Sequence, residues 1–180
     1  MNEKQIELEE TILDIISRTK EKKHGLETKK WLLLLEPKAD WEIQIAALAH
    51  DIERAVPYIE NMTPVKPWKV EKVEYYEKKS QHAKRSADIV KHIMREMNFA
   101  QEEVKRVISA IKKHETGGDT DSDLVRDADS VRFFDTGIVK YAKYFSEDSA
   151  KIKAKWMYSR ASDKAQRMIK TLNLPFRVDL

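Results

Sequence analysis

A histidine and an aspartate, His50 and Asp51, stand side by side inside an apolar stretch of the chain. The residues around them read Leu48-Ala49-His50-Asp51-Ile52, which is typical of a buried helix. An ionised carboxylate is costly to bury unless a cation pairs with it or a metal ion binds it. Two partners for Asp51 therefore stay open: a salt bridge with Arg54 on the next helical turn, or a metal ion held jointly with His50.

Helical spacing separates the remaining histidines into inward and outward positions. His114 continues an apolar stripe of its helix, which runs through Val104, Val107 and Ile111. It therefore points inward, either as a hydrogen-bonded core histidine or as part of a pocket. His82 borders the main apolar stripe of a long helix, so we expect it to be partly buried. His92 has charged helical neighbours and is excluded from any site, whereas His24 lies at an expected helix junction, where spacing says little.

Two aspartates further along the chain, Asp127 and Asp129, are equally compatible with an inward position. Each has apolar residues at helical spacing on both sides. Either carboxylate could instead pair with Arg126 or Arg132. Periodicity alone does not choose between the two aspartates.

The composition limits which chemistry is available. The 180 residues include no cysteine, which excludes disulfides and thiolate metal sites and leaves histidine, aspartate and glutamate as the strong ligands. A net charge of +3, with mixed signs along the chain, gives no reason to expect nucleic-acid binding. The hydrophobic fraction of 41% is that of a globular chain, and only four glycines and five prolines favour helix over sheet.

The apolar spacing predicts an all-α bundle that forms one domain over residues 1–180. One helix, from the cap at Asp40 to about Ile52, is apolar on nearly all sides, so we expect it at the centre of the bundle. A connector is expected from Pro57 to Lys69, where prolines cluster. The other expected helices cover about 3–19, 26–36, 70–97, 101–114 and 120–134, with a short and a longer C-terminal helix over 136–174 and a tail over 175–180.

The C-terminal helix after Ser146 has a wide apolar face, so we expect it to close the core rather than face a partner chain. The apolar residues of that helix are Ile152, Trp156, Met157 and Tyr158. The longest wholly apolar run, Trp31–Leu35, is far too short to span a membrane, and the charged first residues contain no secretory signal. We therefore expect a cytoplasmic protein.

The ordered set of histidines and aspartates resembles the HD superfamily of metal-dependent phosphohydrolases. The family pattern is a histidine, then a His-Asp pair on a buried helix, then a distal aspartate, and it matches His24, His50-Asp51 and Asp129. Asp129 fits the pattern better than Asp127 because it follows an alanine, in Asp127-Ala128-Asp129-Ser130-Val131. The resemblance covers about residues 20–135.

Some branches of the superfamily have two further histidines before the last aspartate, and His82 and His114 occupy those places. The resemblance implies an HD-type helical bundle that binds one or two divalent transition-metal ions, of Mn, Fe, Co, Ni or Zn. It implies that the first ion is held by His24, His50, Asp51 and Asp129, and that the second is held by His82 and His114, with Asp51 bridging.

The resemblance also implies an activity, the hydrolysis of a phosphate ester by metal-activated water. Asp51 would be essential to it, and Arg54 would either bind substrate phosphate or only pair with Asp51. The expected substrate is a small phosphorylated metabolite, with a nucleotide as first choice. No membrane or nucleic-acid partner is expected, and nothing in the sequence indicates the oligomeric state.

Two alternative functions remain. One is a non-catalytic metal-binding regulatory or interaction module, and the other is a di-iron oxygenase that uses the same ligands.

Overall fold

The computed structural model describes residues 1–17, 19–56 and 72–180, with side chains described from residue 80 onward in the last range. Across these ranges the chain is helical and contains no strand, so the prediction of an all-α bundle is confirmed. A short 3₁₀ turn (Ile52–Ala55) follows the third helix, and a π-helical turn (Phe133–Gly137) follows the sixth. The helices are α1 (Glu3–Ser17), α2 (Glu21–Leu35), α3 (Trp41–Ala49), α4 (Lys72–Glu96), α5 (Gln101–Lys113), α6 (Thr120–Arg132), α7 (Ile138–Tyr144), α8 (Glu147–Arg160) and α9 (Asp163–Lys170).

Helix α3 lies at the centre of the bundle, as its apolar sequence predicts. It contacts α1, α2, α5 and α6. Its buried residues are Ile43, Ile45, Ala46, Ala47, Leu48 and Ala49. Because apolar side chains cover α3 on nearly every side, its burial contributes much of the hydrophobic stabilisation of the bundle. The His50-Asp51 pair at its C-terminal end is therefore carried into the protein interior.

Helices α2 and α3 approach each other closely at Gly25. A side-chain carbon at this position would collide with the backbone carbonyl oxygen of Leu48. Helix α2 begins at Glu21, not at Leu26 as the spacing predicts, and Leu26 is 40% exposed. Gly25 is thus a contact point between the two helices, inside α2. As a result, His24 lies inside the first turns of α2 and not at a junction.

The C-terminal part contains α7, α8 and α9 where the sequence predicts one short and one longer helix. Serines cap the N-termini of α8 and α9. Ser146 Oγ accepts a hydrogen bond from Ser149 N, and Ser162 Oγ accepts one from Ala165 N. Met157 is buried, so α8 does close the core, but Ile152 is 71% exposed and does not take part. The expected tail over 175–180 also packs back on the core, through Phe176 and Val178.

The predicted connector Pro57–Lys69 lies outside the described residues. Among the helices of the described ranges, none combines the length and the apolar character that a membrane crossing requires.

Candidate metal centre

The His50-Asp51 pair lies at the point where α3 ends and the 3₁₀ turn begins. Both residues are buried, with exposed fractions of 1% and 6%. The Nδ1–H of His50 donates to the carbonyl oxygen of Ala47 at 2.9 Å, one turn earlier in α3. This hydrogen bond directs Nε2, the free ring nitrogen, toward Asp51 and the neighbouring helices.

Three side chains, from α2, α6 and the end of α3, converge on one side of Asp51. His24 Nε2 lies 2.9 Å from His50 Nε2 and 3.1 Å from Asp51 Oδ2. Asp129 Oδ1 lies 3.8 Å from the Nε2 atoms of both histidines. Ligand atoms about 2.1 Å from one ion are separated by about 3.0 to 3.4 Å in octahedral and tetrahedral geometry. The separations from His24 to His50 and to Asp51 match this spacing, and those to Asp129 are longer. The donor types of all four groups are those that a divalent transition-metal ion takes.

The second oxygen of Asp51 faces a different pair of histidines. His82 Nε2, from α4, is in direct contact with Asp51 Oδ1, and His114 Nε2, which follows α5, lies 3.9 Å from the same oxygen. The ligand atoms of His50, Asp51 and His114 all lie within 4.8 Å of one another. Asp51 thus directs one oxygen toward each group of histidines, and all the ligands that the sequence predicts lie around it.

The histidines of the second group are held in orientation through their other ring nitrogens. His82 Nδ1 donates to Glu53 Oε1 at 2.6 Å, and Glu53 is in turn paired with Arg85. His114 Nδ1 donates to the carbonyl oxygen of Ile111 at 2.7 Å. Carboxylate and carbonyl acceptors of this kind fix the tautomer that leaves Nε2 available to a metal ion.

The charges around Asp51 shift several pKa values. Burial would lower the pKa of His82, but Asp51 and the hydrogen bonds with Asp51 and Glu53 raise it to about 9. Burial would raise the pKa of Asp51, but Arg54, His50 and His82 hold it well below its ordinary value. Burial lowers the pKa of His50, which favours the neutral imidazole that binds metals. On the side of Asp51 that faces His24, the centre therefore combines the ionised carboxylate of Asp51 with the neutral imidazole of His50.

Arg54 forms the ion pair with Asp51 that was one of the two alternatives for this carboxylate. Its side chain is nevertheless 47% exposed and lines a cleft beside the centre. Arg54 contacts Oδ2 of Asp51, the same oxygen that faces His24, so an ion on this side of Asp51 would share that oxygen with the guanidinium or displace it.

The structure separates the two aspartates that periodicity could not distinguish. Asp127 is 4% exposed and accepts from Ser162 N at 3.1 Å and from Arg126 NH2 at 3.2 Å. It therefore ties α6 to the start of α9, away from the centre, whereas Asp129 faces His24. His92 is exposed and remote from the cluster, as expected.

Two acidic residues of the centre were missed by the sequence reasoning. Glu21 is 5% exposed, lies one turn before His24 on α2, and has ligand atoms within 4.8 Å of those of His24 and Asp51. Burial raises its pKa. Glu115 Oε1 lies 3.6 Å from His114 Nε2, and Glu115 Oε2 accepts from Arg160 NH1 at 3.0 Å. Glu21 could have been found from its spacing to His24, and Glu115 from its place next to His114.

A cleft opens beside the first group of ligands, and its walls carry several charged side chains. The lining residues are His24, Asp51, Arg54, Glu115, Asp129, Arg132, Phe133, Lys153 and Met157. Arg132 contacts His24 Nδ1 through its guanidinium, and burial lowers the pKa of Arg132 to about 10. Helix α8, which carries no motif of the HD pattern, supplies part of the wall.

A model of the family described as "Domain of unknown function (DUF4202)" matches residues 3–179. The chain belongs to this family. The DUF4202 match spans nearly the whole helical bundle and includes every residue of the candidate centre. No curated protein and no solved structure gives a significant match to the chain.

Proposed function

We propose that this DUF4202 protein is a metal-dependent phosphohydrolase of the HD superfamily, which cleaves a phosphate ester of a small phosphorylated metabolite, with a nucleotide as the first choice. The observation that carries the proposal is the placement of Asp51, whose two oxygens face two separate groups of histidines beside an open cleft. A buried carboxylate shared in this way is suited to a centre with one or two ions.

The donor set narrows the choice of metal without fixing it. Imidazole and carboxylate ligands suit Mn, Fe, Co, Ni and Zn. His24, His50, Asp51 and Asp129 would hold one ion, and His82 and His114 would hold a second together with Asp51. When bound, such an ion lowers the pKa of a coordinated water and polarises a phosphoryl oxygen.

The protein's own residues supply the remaining requirements of the reaction. Asp51 and His50 are buried and held in place by neighbours, so the ligands need little reorganisation. Arg54, half-exposed at the edge of the cleft, is placed to contact phosphate oxygens of a bound substrate. The burial of the centre excludes bulk water from all but the cleft side.

Metal content measured by mass spectrometry on identically purified proteins tests the first half of the proposal. We expect one or two transition-metal ions per wild-type chain, loss of them in Asp51→Ala, and retention in the matched control Asp127→Ala, which removes an equally buried carboxylate outside the centre. Absence of metal from the wild type, even after incubation with Mn²⁺, would contradict the proposal and favour a non-catalytic interaction module.

Turnover of a panel of nucleotides and sugar phosphates by the metal-loaded protein tests the second half. We expect release of inorganic phosphate by the wild type and none by Asp51→Asn. Consumption of oxygen by the iron-loaded protein, with no release of phosphate from any ester, would instead identify an oxygenase.

A further inference from the structure

Glu21 is a buried acidic residue of α2 that stands outside the HD pattern. It lies one turn before His24 and is only 5% exposed. Ligand atoms of Glu21, His24 and Asp51 all lie within 4.8 Å of one another. The Glu21 carboxylate is therefore directed into the space that His24 and Asp51 share.

The carboxylate of Glu21 has no hydrogen-bond or ion-pair partner in the part of the chain that the structure describes. Lys20, Arg54 and Arg132 attract it from beyond ion-pair distance. Burial and the charge of Asp51 oppose its ionisation and are the stronger effects, because the pKa of Glu21 is raised. A buried acidic group without a direct partner is costly to the folded protein, so these residues alone do not satisfy Glu21.

Two of the surrounding cations are in contact with other groups of the site. Arg54 contacts Asp51 Oδ2, and the guanidinium of Arg132 contacts His24 Nδ1. The contact with Arg132 leaves Nε2 as the nitrogen through which His24 can bind an ion, and this atom lies 3.1 Å from Asp51 Oδ2. An ion held by these two atoms would bring positive charge close to the Glu21 carboxylate.

The distances allow Glu21 to share that ion. Ligand atoms on opposite sides of an ion are separated by about 4.2 Å when each lies about 2.1 Å from it. Because the observed separations are within 4.8 Å, Glu21 needs a shift of less than about 1 Å to reach such an ion. Rotation of its flexible side chain can supply a shift of this size without movement of α2.

A ligand at Glu21 changes which metal suits the site. The four groups expected to hold the first ion are His24, His50, Asp51 and Asp129, and four is the usual coordination number of structural Zn²⁺. A fifth protein ligand exceeds that number and fits a six-coordinate ion that keeps one position for water. It is also a third carboxylate, and carboxylate oxygens are preferred ligands of Mn²⁺.

We infer that Glu21 is a fifth protein ligand of the ion held by His24 and Asp51, and that it shifts the preference of this site from Zn²⁺ toward Mn²⁺. The inference rests on the proposed function for the presence of an ion at this site. At a site of the same donors Zn²⁺ binds more tightly than Mn²⁺, so Glu21 narrows the difference between their affinities.

The metal-free protein gives the first test, through Glu21→Gln. Glutamine keeps the size of the side chain and removes its negative charge. Because the carboxylate has no direct partner without an ion, we expect the urea midpoint of the chelator-treated variant to equal or exceed that of the wild type. If Glu21 instead stabilised the fold through Arg54 and Arg132, the midpoint would fall, and the inference would be overturned.

Titration with Mn²⁺, followed by the electron paramagnetic resonance signal of the free ion, gives the second test. Affinity for Zn²⁺ is measured in the same proteins by competition with a chelating dye. We expect Glu21→Gln to weaken Mn²⁺ binding at one site about 100-fold and Zn²⁺ binding there only about tenfold. A further ion bound by His82 and His114 should keep its affinity.

Two variants make the result specific to Glu21. Glu27→Gln makes the same substitution about one turn after His24, at a residue that accepts a hydrogen bond from Thr136, and should keep both wild-type affinities. Glu21→Asp retains the charge and should recover part of the preference for Mn²⁺. Equal weakening of both ions by Glu21→Gln, no weakening of either, or a wild type that binds neither ion would each overturn the inference.

The outcomes also separate this inference from the proposed function. Hydrolysis of phosphate esters by a protein whose metal affinities do not depend on Glu21 would leave the proposed function standing and refute the fifth ligand. Selective loss of Mn²⁺ affinity in Glu21→Gln, in a protein that hydrolyses no ester, would support the fifth ligand and contradict the proposed function.

Discussion

In the metal-free protein, folding stability is expected to depend on pH through His82. The buried contacts with Asp51 and Glu53 raise the pKa of His82 from its ordinary value of 6.5 to about 9. The folded protein therefore holds a proton on this ring at pH values where the unfolded chain has released it. The resulting stabilisation is present in full below the unfolded pKa and is lost as the pH rises to the folded one.

The size of the effect follows from the two pKa values. Each pH unit between them corresponds to about 1.4 kcal/mol, so the full change is about 3 kcal/mol. This is a large share of the free energy of unfolding of a typical domain. Lysines and tyrosines also titrate toward the upper end of this pH range. A variant that lacks His82 must therefore be measured to give the pH dependence of the unfolding free energy that comes from all other groups.

Urea unfolding of chelator-treated protein at pH values from about 6 to about 9.5 measures the effect. We expect the difference in unfolding free energy between the wild type and His82→Gln to shrink by about 3 kcal/mol across this range. A difference that stays constant would show that Asp51 and Glu53 do not hold the proton on His82. Bound metal should abolish the trend, because the ion and the proton compete for Nε2.

Four further substitutions have defined outcomes. Gly25→Ala should lower the unfolding free energy by about 1 to 3 kcal/mol, because α2 and α3 must move apart, and an unchanged urea midpoint would contradict the close contact. Asp129→Asn should lose bound metal, whereas Asp127→Asn should keep it and be destabilised by about 1 to 2 kcal/mol; the reverse pattern of metal content would exchange their roles. Glu53→Gln should weaken metal binding about 10- to 100-fold in competition with a chelator, and equal affinity would exclude Glu53 as the support of His82.

The inward side chains of single helices could be predicted from the sequence because helical spacing is local. The apolar α3 was expected at the centre, and His114 was expected on the inner face of α5; both are found there. His82 was expected to be partly buried and is 7% exposed. In each case the neighbours one turn away decide which way the residue faces.

The remaining features depend on contacts between distant segments, which spacing does not encode. Asp127 and Asp129 lie about 200° apart around α6, and which of them faces the centre depends on the neighbouring segments. The start of α9, with Ser162, packs beside Asp127. Gly25 lies inside α2, before the expected helix start at Leu26, because its lack of a side chain allows the close contact with α3. Lys153 joins the cleft through the rings of residues in another helix and in the π-helical turn.

The π-helical turn Phe133–Gly137 amounts to one extra residue inserted in the continuous helical run from Thr120 to Tyr144. Each residue of an α-helix advances by about 100° around the axis, so the insertion rotates everything after it relative to the centre. Gain or loss of a single codon in this turn would therefore reorient the wall that carries Lys153 while every metal-binding side chain keeps its place. Relatives that differ in length here are expected to have a differently shaped cleft beside the same candidate metal centre.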